Sequence, residues 1–251
     1  MRKKVIAGNW KMYKTPDEAK AFVEALLPLV KGHTRNEIVI CPSATSLSTV
    51  VETAKGSNIS VGAQTVHWLD EGAYTGQTSP KMLTAIGVTH AILGHSEPRT
   101  HDSETDERVN LKLKACVKHG IHAIVCIGEQ LEERQQNLTR DVLLAQLAGG
   151  LAGVTPDMAD NFVIAYEPVW AIGTGLTATP EQAEEAHTII RTALAQHLGE
   201  DVAAKMRILY GGSVKPGNIA ALLAMPNIDG ALIGGASLVA EDFAKMVKYE
   251  A

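Results

Sequence analysis

Eight short apolar segments, separated by helical patterns, constrain the fold of this chain more than any other feature of its sequence. The segments are rich in Val, Ile and Ala, and most end at a polar residue or a glycine. Continuous apolar runs of this kind are typical of strands that are buried on both faces of a sheet. The predicted strands are residues 5–10, 37–43, 59–65, 90–96, 122–128, 161–167, 207–213 and 230–234.

Helical patterns lie between these strands, and two of them begin with a capping signal. We predict helices over residues 17–30, 104–119, 131–147 and 180–198. Thr15 and Thr179 each precede a proline, and Glu18 and Gln182 stand three residues after these threonines. Threonine at N-cap, proline at N1 and Glu or Gln at N3 favour a helix start, because the side chains accept N–H groups that lack a partner in the first turn.

Strands that alternate with helices predict a mostly parallel sheet covered by helices. Eight such units in 251 residues suit an α/β fold with one domain over residues 1–251, a (β/α)8 barrel, and a doubly wound open sheet is the alternative. No change in composition marks a linker or a second domain.

Composition excludes several classes of function. Hydrophobic residues form 45% and charged residues 20% of the chain, which is ordinary for a globular protein with a substantial core. The net charge of −5 argues against a nucleic-acid partner, and no run approaches the roughly 18 apolar residues of a membrane span. The start of the chain lacks the apolar region of a secretory signal. The three cysteines form no CxxC pair, so we expect reduced thiols in a cytoplasmic protein.

Polar residues lie at or just after the carboxyl ends of the predicted strands, where an apolar core does not require them. These residues are Asn9, Lys11, Gln64, His95, Glu97 and Glu167. In either parallel architecture the carboxyl ends of the strands meet on one face, where ligands bind. Taken singly, His95 could be a structural histidine and Glu167 a solvated charge at the rim. Their shared position predicts a functional site.

Two glycine pairs raise the question of a phosphate ligand. Gly211-Gly212 and Gly234-Gly235 lie at the ends of the last two predicted strands and precede helical patterns. Glycine allows backbone N–H groups to approach an anion closely, and a helix N-terminus adds favourable potential. Two tight turns are the alternative, but consecutive strand ends seven and eight are a recurrent phosphate site of barrels.

Seven motifs resemble those of the triosephosphate isomerase family and cover nearly the whole chain. They are AGNWKMY (7–13), GAYTG (72–76), AILGHSE (91–97), CIGE (126–129), YEPVWAIGTG (166–175), YGGSV (210–214) and IGGASL (233–238). GNWKM and YEPVWAIGTG are the most specific of them. The resemblance implies a TIM barrel and a cofactor-independent isomerase of glycolysis and gluconeogenesis, which interconverts dihydroxyacetone phosphate and D-glyceraldehyde 3-phosphate through an enediolate.

The resemblance also assigns catalytic roles to residues of this chain. Glu167 is expected to remove a proton from the carbon beside the carbonyl and to return it to the neighbouring carbon. His95 is expected to donate a hydrogen bond to the enediolate oxygens as a neutral imidazole, a form of pKa tuning for which this family is itself the known example. Lys11 would offset negative charge, Asn9 would orient the substrate, and Glu97 would support them.

A phosphate grip and a lid are implied in the same way. The backbone N–H groups expected to hold the phosphate are those of Gly173, Ser213, Gly234 and Gly235. The lid would comprise Pro168, Val169, Trp170, Ala171, Ile172, Gly173, Thr174, Gly175, Leu176, Thr177 and Ala178. Tyr210 and Ser213 would latch the closed lid, while Ile172 and Leu232 would form an apolar wall beside Glu167. No metal or organic cofactor is implied.

The family further implies a homodimer, in which Tyr74 and Thr75 enter the partner near its site. Four positions depart from the family pattern. Gln77 stands where glutamate is usual, Pro98 where arginine is usual, Thr65 where asparagine is usual and Leu176 where lysine is usual. We hypothesise that Gln77 and Pro98 together replace both members of an ion pair at the subunit contact.

Other functions remain as alternatives. A Schiff-base aldolase needs an amine inside the barrel, whereas Lys11 follows its strand. A metal-dependent epimerase needs several ligands at strand ends, and only His95, Glu97 and Glu167 are candidates. Neither alternative accounts for the lid. A catalytically silent phosphate-metabolite binder or a scaffold barrel would not require Glu167.

Overall fold

Eight parallel strands close into a barrel in a computed structural model that describes residues 2–172, 174 and 176–250. Strand β1 pairs with both β2 and β8, so the sheet has no edge, and the prediction of a (β/α)8 barrel is confirmed over the open sheet. The strands are β1 (Val5–Asn9), β2 (Glu37–Cys41), β3 (Ile59–Ala63), β4 (His90–Leu93), β5 (His122–Ile127), β6 (Phe162–Tyr166), β7 (Ile208–Tyr210) and β8 (Gly230–Ile233).

Helices connect the strands and cover the outside of the barrel. Within the described part of the chain they are α1 (Pro16–Val30), α2 (Leu47–Ala54), α3 (Pro80–Ala85), α4 (Ser96–His101), α5 (Asp106–Lys118), α6 (Leu131–Gln135), α7 (Thr139–Gly150), α8 (Pro180–Leu198), α9 (Glu200–Lys205), α10 (Ile219–Leu223) and α11 (Ala240–Val247). None of these helices combines the length and the apolar character that a membrane crossing requires.

In seven of the eight strands, alternate residues belong to two different hydrophobic clusters, whereas the buried hydrophobic residues of β3 belong to the larger cluster alone. In β1, Val5 and Ala7 join a small cluster inside the barrel, whereas Ile6 joins the larger cluster between strands and helices. In β6, Val163 and Ala165 belong to the same inner cluster. Because both faces of each strand are buried, the strands need apolar residues throughout, which explains the continuous runs in the sequence.

Both predicted capping boxes are present. The Thr15 side chain accepts the N–H of Glu18, and the Glu18 carboxylate accepts the N–H of Thr15 at 2.8 Å. Thr179 and Gln182 make the same reciprocal pair at the start of α8, with the return bond at 2.9 Å. Local sequence therefore determines where these two helices begin.

Several predicted boundaries are wrong for identifiable reasons. The single helix predicted over residues 131–147 is two helices, α6 and α7, because Asn137 adopts a left-handed backbone with φ of 59°. The helix predicted over residues 104–119 begins at Asp106, where Thr105 accepts the N–H of Arg108 as N-cap. Each strand stops before its predicted end, since the polar residues there belong to the connecting loops.

Candidate active site

The carboxyl ends of the strands surround a cavity of about 340 Å³. Of the six polar residues that the sequence singled out at strand ends, four line this cavity together: Asn9, Lys11, His95 and Glu167. Gln64 and Glu97, which were singled out for the same reason, are not among the lining residues, but each forms a hydrogen bond with Lys11. The cavity therefore brings together groups from the ends of β1, β4 and β6, which are far apart in the sequence.

Lys11 has an unusual backbone that its neighbours hold in place. Its φ of 53° lies in the left-handed region, which is uncommon for a residue with a side chain. The Asn9 Oδ1 accepts the N–H of Lys11 at 3.0 Å, and the Gln64 amide donates to the Lys11 carbonyl at 2.8 Å. The same amide donates to the Cys41 carbonyl at 2.9 Å. Sequence reasoning noted Gln64 at its strand end but assigned it no role.

Glu97 acts on the other charged groups of the site. Its Oε1 lies 2.6 Å from the Lys11 Nζ, and its Oε2 lies 3.6 Å from the His95 Nδ1. Nearly half of its side chain, 45%, is exposed. Glu97 therefore pairs with Lys11 and lies close to His95, and it is not among the described residues that line the cavity.

His95 is the N-cap of α4, and its ring is oriented by that helix. Its Nδ1 accepts the N–H of Glu97 at 3.3 Å, which assigns the proton of the neutral ring to Nε2. Nε2 lies 2.9 Å from the Glu167 Oε1. Burial lowers the pKa of His95, but the Glu167 carboxylate, followed by Glu97, outweighs burial and raises the pKa above its usual value of 6.5.

Glu167 follows β6 directly and is almost fully buried. Its Oε2 accepts the N–H of Ser96 at 3.0 Å, while Oε1 faces His95. Glycine at position 211 makes room for this side chain, because an added Cβ would lie 2.9 Å from the Glu167 Cγ. Ile172 and Leu232 line the same cavity as the carboxylate. Sequence reasoning missed Ser96 and this role of Gly211.

The other side of the cavity has the features expected of an anion site. Ser213, Gly234 and Gly235 line it, and Lys215, which sequence reasoning did not select, lines it as well. A Cβ at Gly234 would lie 3.4 Å from the Lys11 Cε, so this glycine faces the lysine. A 3₁₀ turn, Gly235–Leu238, starts at this point. Gly173, the fourth predicted phosphate contact, lies outside the described residues.

A buried carboxylate anchors the first part of the predicted lid. The Glu129 Oε1 accepts hydrogen bonds from the Trp170 indole and the Tyr166 hydroxyl, each at 3.0 Å. Burial, with Glu129 close by, raises the pKa of Tyr166 well above its usual value. The sequence motif CIGE contains Glu129, but the residues alone did not reveal that it holds Trp170.

Two of the remaining lid residues that the structure describes line the cavity. Ala171 and Ile172 line it, and the Thr174 hydroxyl donates to the Trp170 carbonyl at 2.8 Å. Leu176 donates its N–H to the Thr174 hydroxyl at 3.3 Å, and half of its side chain is exposed. Gly175, like Gly173, lies outside the described residues. Thr177 is exposed and Ala178 is buried.

Tyr210, the predicted latch, is buried and is not among the residues that line the cavity. Burial raises the pKa of its hydroxyl to about 12, and the nearby backbone of Ala178 opposes that rise. A Cβ at Gly212 would lie 2.3 Å from the Tyr210 Oη and 3.0 Å from the Pro168 Cγ. Glycine at this position therefore lets the tyrosine pack against the start of the lid.

The predicted dimer loop lies at the surface of the chain. Tyr74 is 47% exposed, and its ring packs against the His67 ring with centroids 4.4 Å apart. Thr75 and Gln77 are also exposed. Neither Tyr74 nor Thr75 is among the described residues that line the cavity of their own chain.

A closed (β/α)8 barrel with a buried carboxylate, an imidazole and a lysine around one cavity defines a barrel enzyme of the acid–base class. Comparison with known proteins then identifies the family. The family model described as triosephosphate isomerase matches residues 4–250, and the chain belongs to this family.

Individual relatives agree with the family match over their full length. A protein of Carboxydothermus hydrogenoformans is 53% identical over 248 residues, which cover 99% of both chains. A protein of Caldanaerobacter subterraneus subsp. tengcongensis is 52% identical over 249 residues, covering 99% of this chain and 100% of its own. A Clostridium botulinum protein is 54% identical over the same coverage. All three bear the name triosephosphate isomerase.

Proposed function

We propose that this chain interconverts dihydroxyacetone phosphate and D-glyceraldehyde 3-phosphate by moving a proton between neighbouring carbons. The observation that carries the proposal is the position of the buried Glu167 carboxylate beside His95 Nε2, in one cavity with Lys11. Membership of the triosephosphate isomerase family supports the choice of substrate.

Glu167 serves as the base in this proposal. Its carboxylate takes the proton from the carbon beside the carbonyl, which leaves an enediolate, and returns it to the adjacent carbon. Both of its oxygens now face protein groups, the Ser96 N–H and the His95 ring. A bound substrate would replace these contacts, because the base must point at the carbon during proton transfer. A positioned base of this kind contributes roughly 10²- to 10⁴-fold to the rate.

His95 donates its Nε2–H to the oxygen on which negative charge develops. The Glu97 N–H holds Nδ1 as an acceptor, so Nε2 carries the proton of the neutral ring. Glu167 is a main reason that the pKa of His95 is raised in the unliganded arrangement. When Glu167 turns to the substrate, that contribution falls and burial favours the neutral imidazole. Loss of one such donor typically costs about 2.7–4 kcal/mol.

Lys11 provides the positive charge between the reacting oxygens and the phosphate. Glu97 holds its ammonium group at 2.6 Å, and Asn9 holds its backbone at 3.0 Å while lining the cavity itself. The backbone N–H groups of Ser213, Gly234 and Gly235, together with Gly173, are proposed to bind the phosphate. Glycine and a turn start are suited to this role because they leave N–H groups accessible to an anion.

Residues 168–178 act as a lid in this proposal. Closure over the substrate excludes water, which strengthens electrostatic interactions and protects the intermediate from side reactions. The Trp170–Glu129 bond holds the first hinge, Tyr210 and Ser213 latch the closed form, and Ile172 adds an apolar wall with Leu232. The exposed Leu176 removes no chemical group from the mechanism.

We also propose a cytoplasmic homodimer that uses no metal or organic cofactor and binds neither nucleic acid nor membranes. Tyr74 and Thr75 would contact the partner, and exposure of the large Tyr74 side chain supports this role. Dimer dissociation of Gln77→Glu, Pro98→Arg and the double variant tests the ion-pair hypothesis. Coupling of about 0.5 kcal/mol or more is expected, and purely additive effects would contradict it.

The direct test of the proposed function is a coupled assay with both triose phosphates. The wild-type chain should turn over in both directions, and Glu167→Gln should lower kcat by roughly 10²- to 10⁴-fold. Glu107→Gln, at an exposed carboxylate on α5, is the matched control and should retain normal turnover. Normal turnover of Glu167→Gln would show that the mechanism is wrong. Phosphate binding without turnover by the wild type would favour the silent binder.

A further inference from the structure

Gly128 makes an unusually close contact with the backbone of the proposed base. It follows β5, next to the end of β6, where the Glu167 N–H donates to the Ile127 carbonyl at 2.8 Å. A Cβ added to Gly128 would lie 1.7 Å from the Glu167 carbonyl oxygen. No side chain fits there, so the position of the Gly128 peptide limits where the Glu167 backbone can lie.

A single side chain from α7 holds this glycine at both of its backbone polar groups. The Gln146 Oε1 accepts the N–H of Gly128 at 2.8 Å, and the Gln146 Nε2 donates to the Gly128 carbonyl at 3.1 Å. The Gln146 amide therefore hydrogen-bonds the Gly128 backbone as a neighbouring strand would. Gly128 lies just beyond Ile127, the last residue of β5 that pairs with β6. A primary amide suits this task because it carries both a donor and an acceptor.

Gln146, Gly128 and Glu167 also line a second cavity, of about 290 Å³. Ser96, whose N–H holds the Glu167 Oε2, lines it too. This space means that packing alone does not prevent the Gly128 loop from shifting. The hydrogen bonds of Gln146 are contacts that oppose such a shift.

We propose that Gln146 is a positioning residue for catalysis, which sets the place of the Glu167 backbone by holding Gly128. The inference rests on the proposed role of Glu167 as the base. Gln146 does not line the substrate cavity, so its loss should change kcat and leave substrate binding nearly intact. A displacement of about 1 Å at a reacting group can lower the rate by about 10²-fold.

Gln146→Met tests the proposal because methionine has a similar length and neither hydrogen bond. We expect kcat to fall by about 10- to 100-fold while KM stays within about threefold of wild type. Asn110→Leu is the matched control, since the Asn110 amide donates to the carbonyls of Gly150 and Ala152 at 2.9 and 3.0 Å, away from the site. This control should lose stability and retain kcat.

Gln146→Glu adds a readout that a purely structural role would not change. An ionised carboxylate accepts the Gly128 N–H but repels its carbonyl, whereas a protonated one restores both a donor and an acceptor. The kcat of Gln146→Glu relative to wild type at the same pH should therefore rise as the pH is lowered from about 8 to about 5, towards the usual range of a carboxyl pKa. Gln146→Met should show no such recovery.

The outcomes separate this inference from the proposed function. If the wild type does not interconvert the triose phosphates, the proposed function fails. If the wild type is active and Gln146→Met keeps kcat within about twofold, or loses no more than Asn110→Leu, the positioning role is overturned. If Gln146→Met fails to fold, the pH-dependent recovery of Gln146→Glu decides, and a flat ratio overturns the role.

Discussion

The two ends of the barrel both gather charged side chains, but they use them differently. At the carboxyl end, Lys11, His95 and Glu167 face a cavity of about 340 Å³. At the amino end, Glu37, His90 and Arg207 line a space of only about 10 Å³, which is about the room that one water needs. One set of charges is placed for a ligand, and the other is paired within the protein.

The amino end satisfies its charges with partners that are distant in sequence. The Glu37 carboxylate pairs with Arg207 and lies 3.0 Å from the His90 Nε2. The buried Asp229 pairs with Arg2 at 2.7 Å and with Arg191 at 2.6 Å. The Glu37 contacts link β2 to the starts of the non-adjacent strands β4 and β7, and the Asp229 contacts link the neighbouring starts of β8 and β1 to α8, so we infer that they serve stability.

The charged groups at the carboxyl end lie close together, but they are less completely paired than those at the amino end. Within the described residues Lys11 pairs with the carboxylate of Glu97, and nearly half of that partner's side chain is exposed to solvent. The contrast predicts that substitutions at the amino end reduce stability and spare activity, and that substitutions at the carboxyl end do the reverse.

The largest effect on stability is expected at Asp229. In Asp229→Asn the charge that pairs with Arg2 and Arg191 is lost, which should lower the free energy of unfolding by about 3–5 kcal/mol, as for other broken buried pairs. Urea unfolding measures this loss, and kcat of the folded fraction should remain within about twofold. Asp242→Asn, in an exposed pair with Lys245, is the control and should change stability by less than about 1 kcal/mol. A large fall in the kcat of Asp229→Asn without unfolding would contradict the proposed difference between the two ends of the barrel.

The opposite pattern is expected at Lys11. Lys11→Met removes one positive charge from the cavity and should lower kcat/KM by about 10²- to 10³-fold, the usual effect of losing one preorganised electrostatic group. Its pair with Glu97 is partly exposed, so the free energy of unfolding should change by less than about 1 kcal/mol. Steady-state kinetics and urea unfolding of the same preparation check both parts. Equal losses of activity and stability would contradict the separation of the two ends.

A smaller effect should appear as the pH is lowered. The hydrogen bond from His90, aided by Arg207, lowers the pKa of Glu37 from 4.5 to about 2, so its stabilising contribution is present above pH 4.5 and is lost as the pH falls towards 2. Burial lowers the pKa of His187 from 6.5 to about 3, so the unfolded chain binds the proton first and stability falls from pH 6.5 downwards.

Urea unfolding midpoints between about pH 7 and about pH 3 measure this dependence. Glu37→Gln should lose less stability than wild type as the pH falls below 4.5, because it has no carboxylate to protonate. The exposed Glu107→Gln should follow the wild-type curve. Parallel curves for Glu37→Gln and wild type would mean that the contacts of Glu37 with His90 and Arg207 do not contribute to acid sensitivity.

Much of the fold could be predicted because its signals are local. Both capping boxes, at Thr15 and Thr179, depend on residues three apart, and the start of α8 follows from them. The break at Asn137, which the prediction of one continuous helix missed, is also local, but the apolar pattern on either side concealed it. The motifs placed His95 and Glu167 correctly at strand ends, since a strand end shows as the point where an apolar run stops.

The sequence by itself determined eight buried strands, their order along the chain and the polar residues at their ends, because these features depend on residues that are close together in the sequence. Only the tertiary structure decided that the sheet closes, that Asp229 meets Arg2 across 227 positions, and that Gln146 holds Gly128 against Glu167. Such contacts depend on how strands and helices pack in three dimensions. A local pattern of residue types does not specify which distant residue will be the partner.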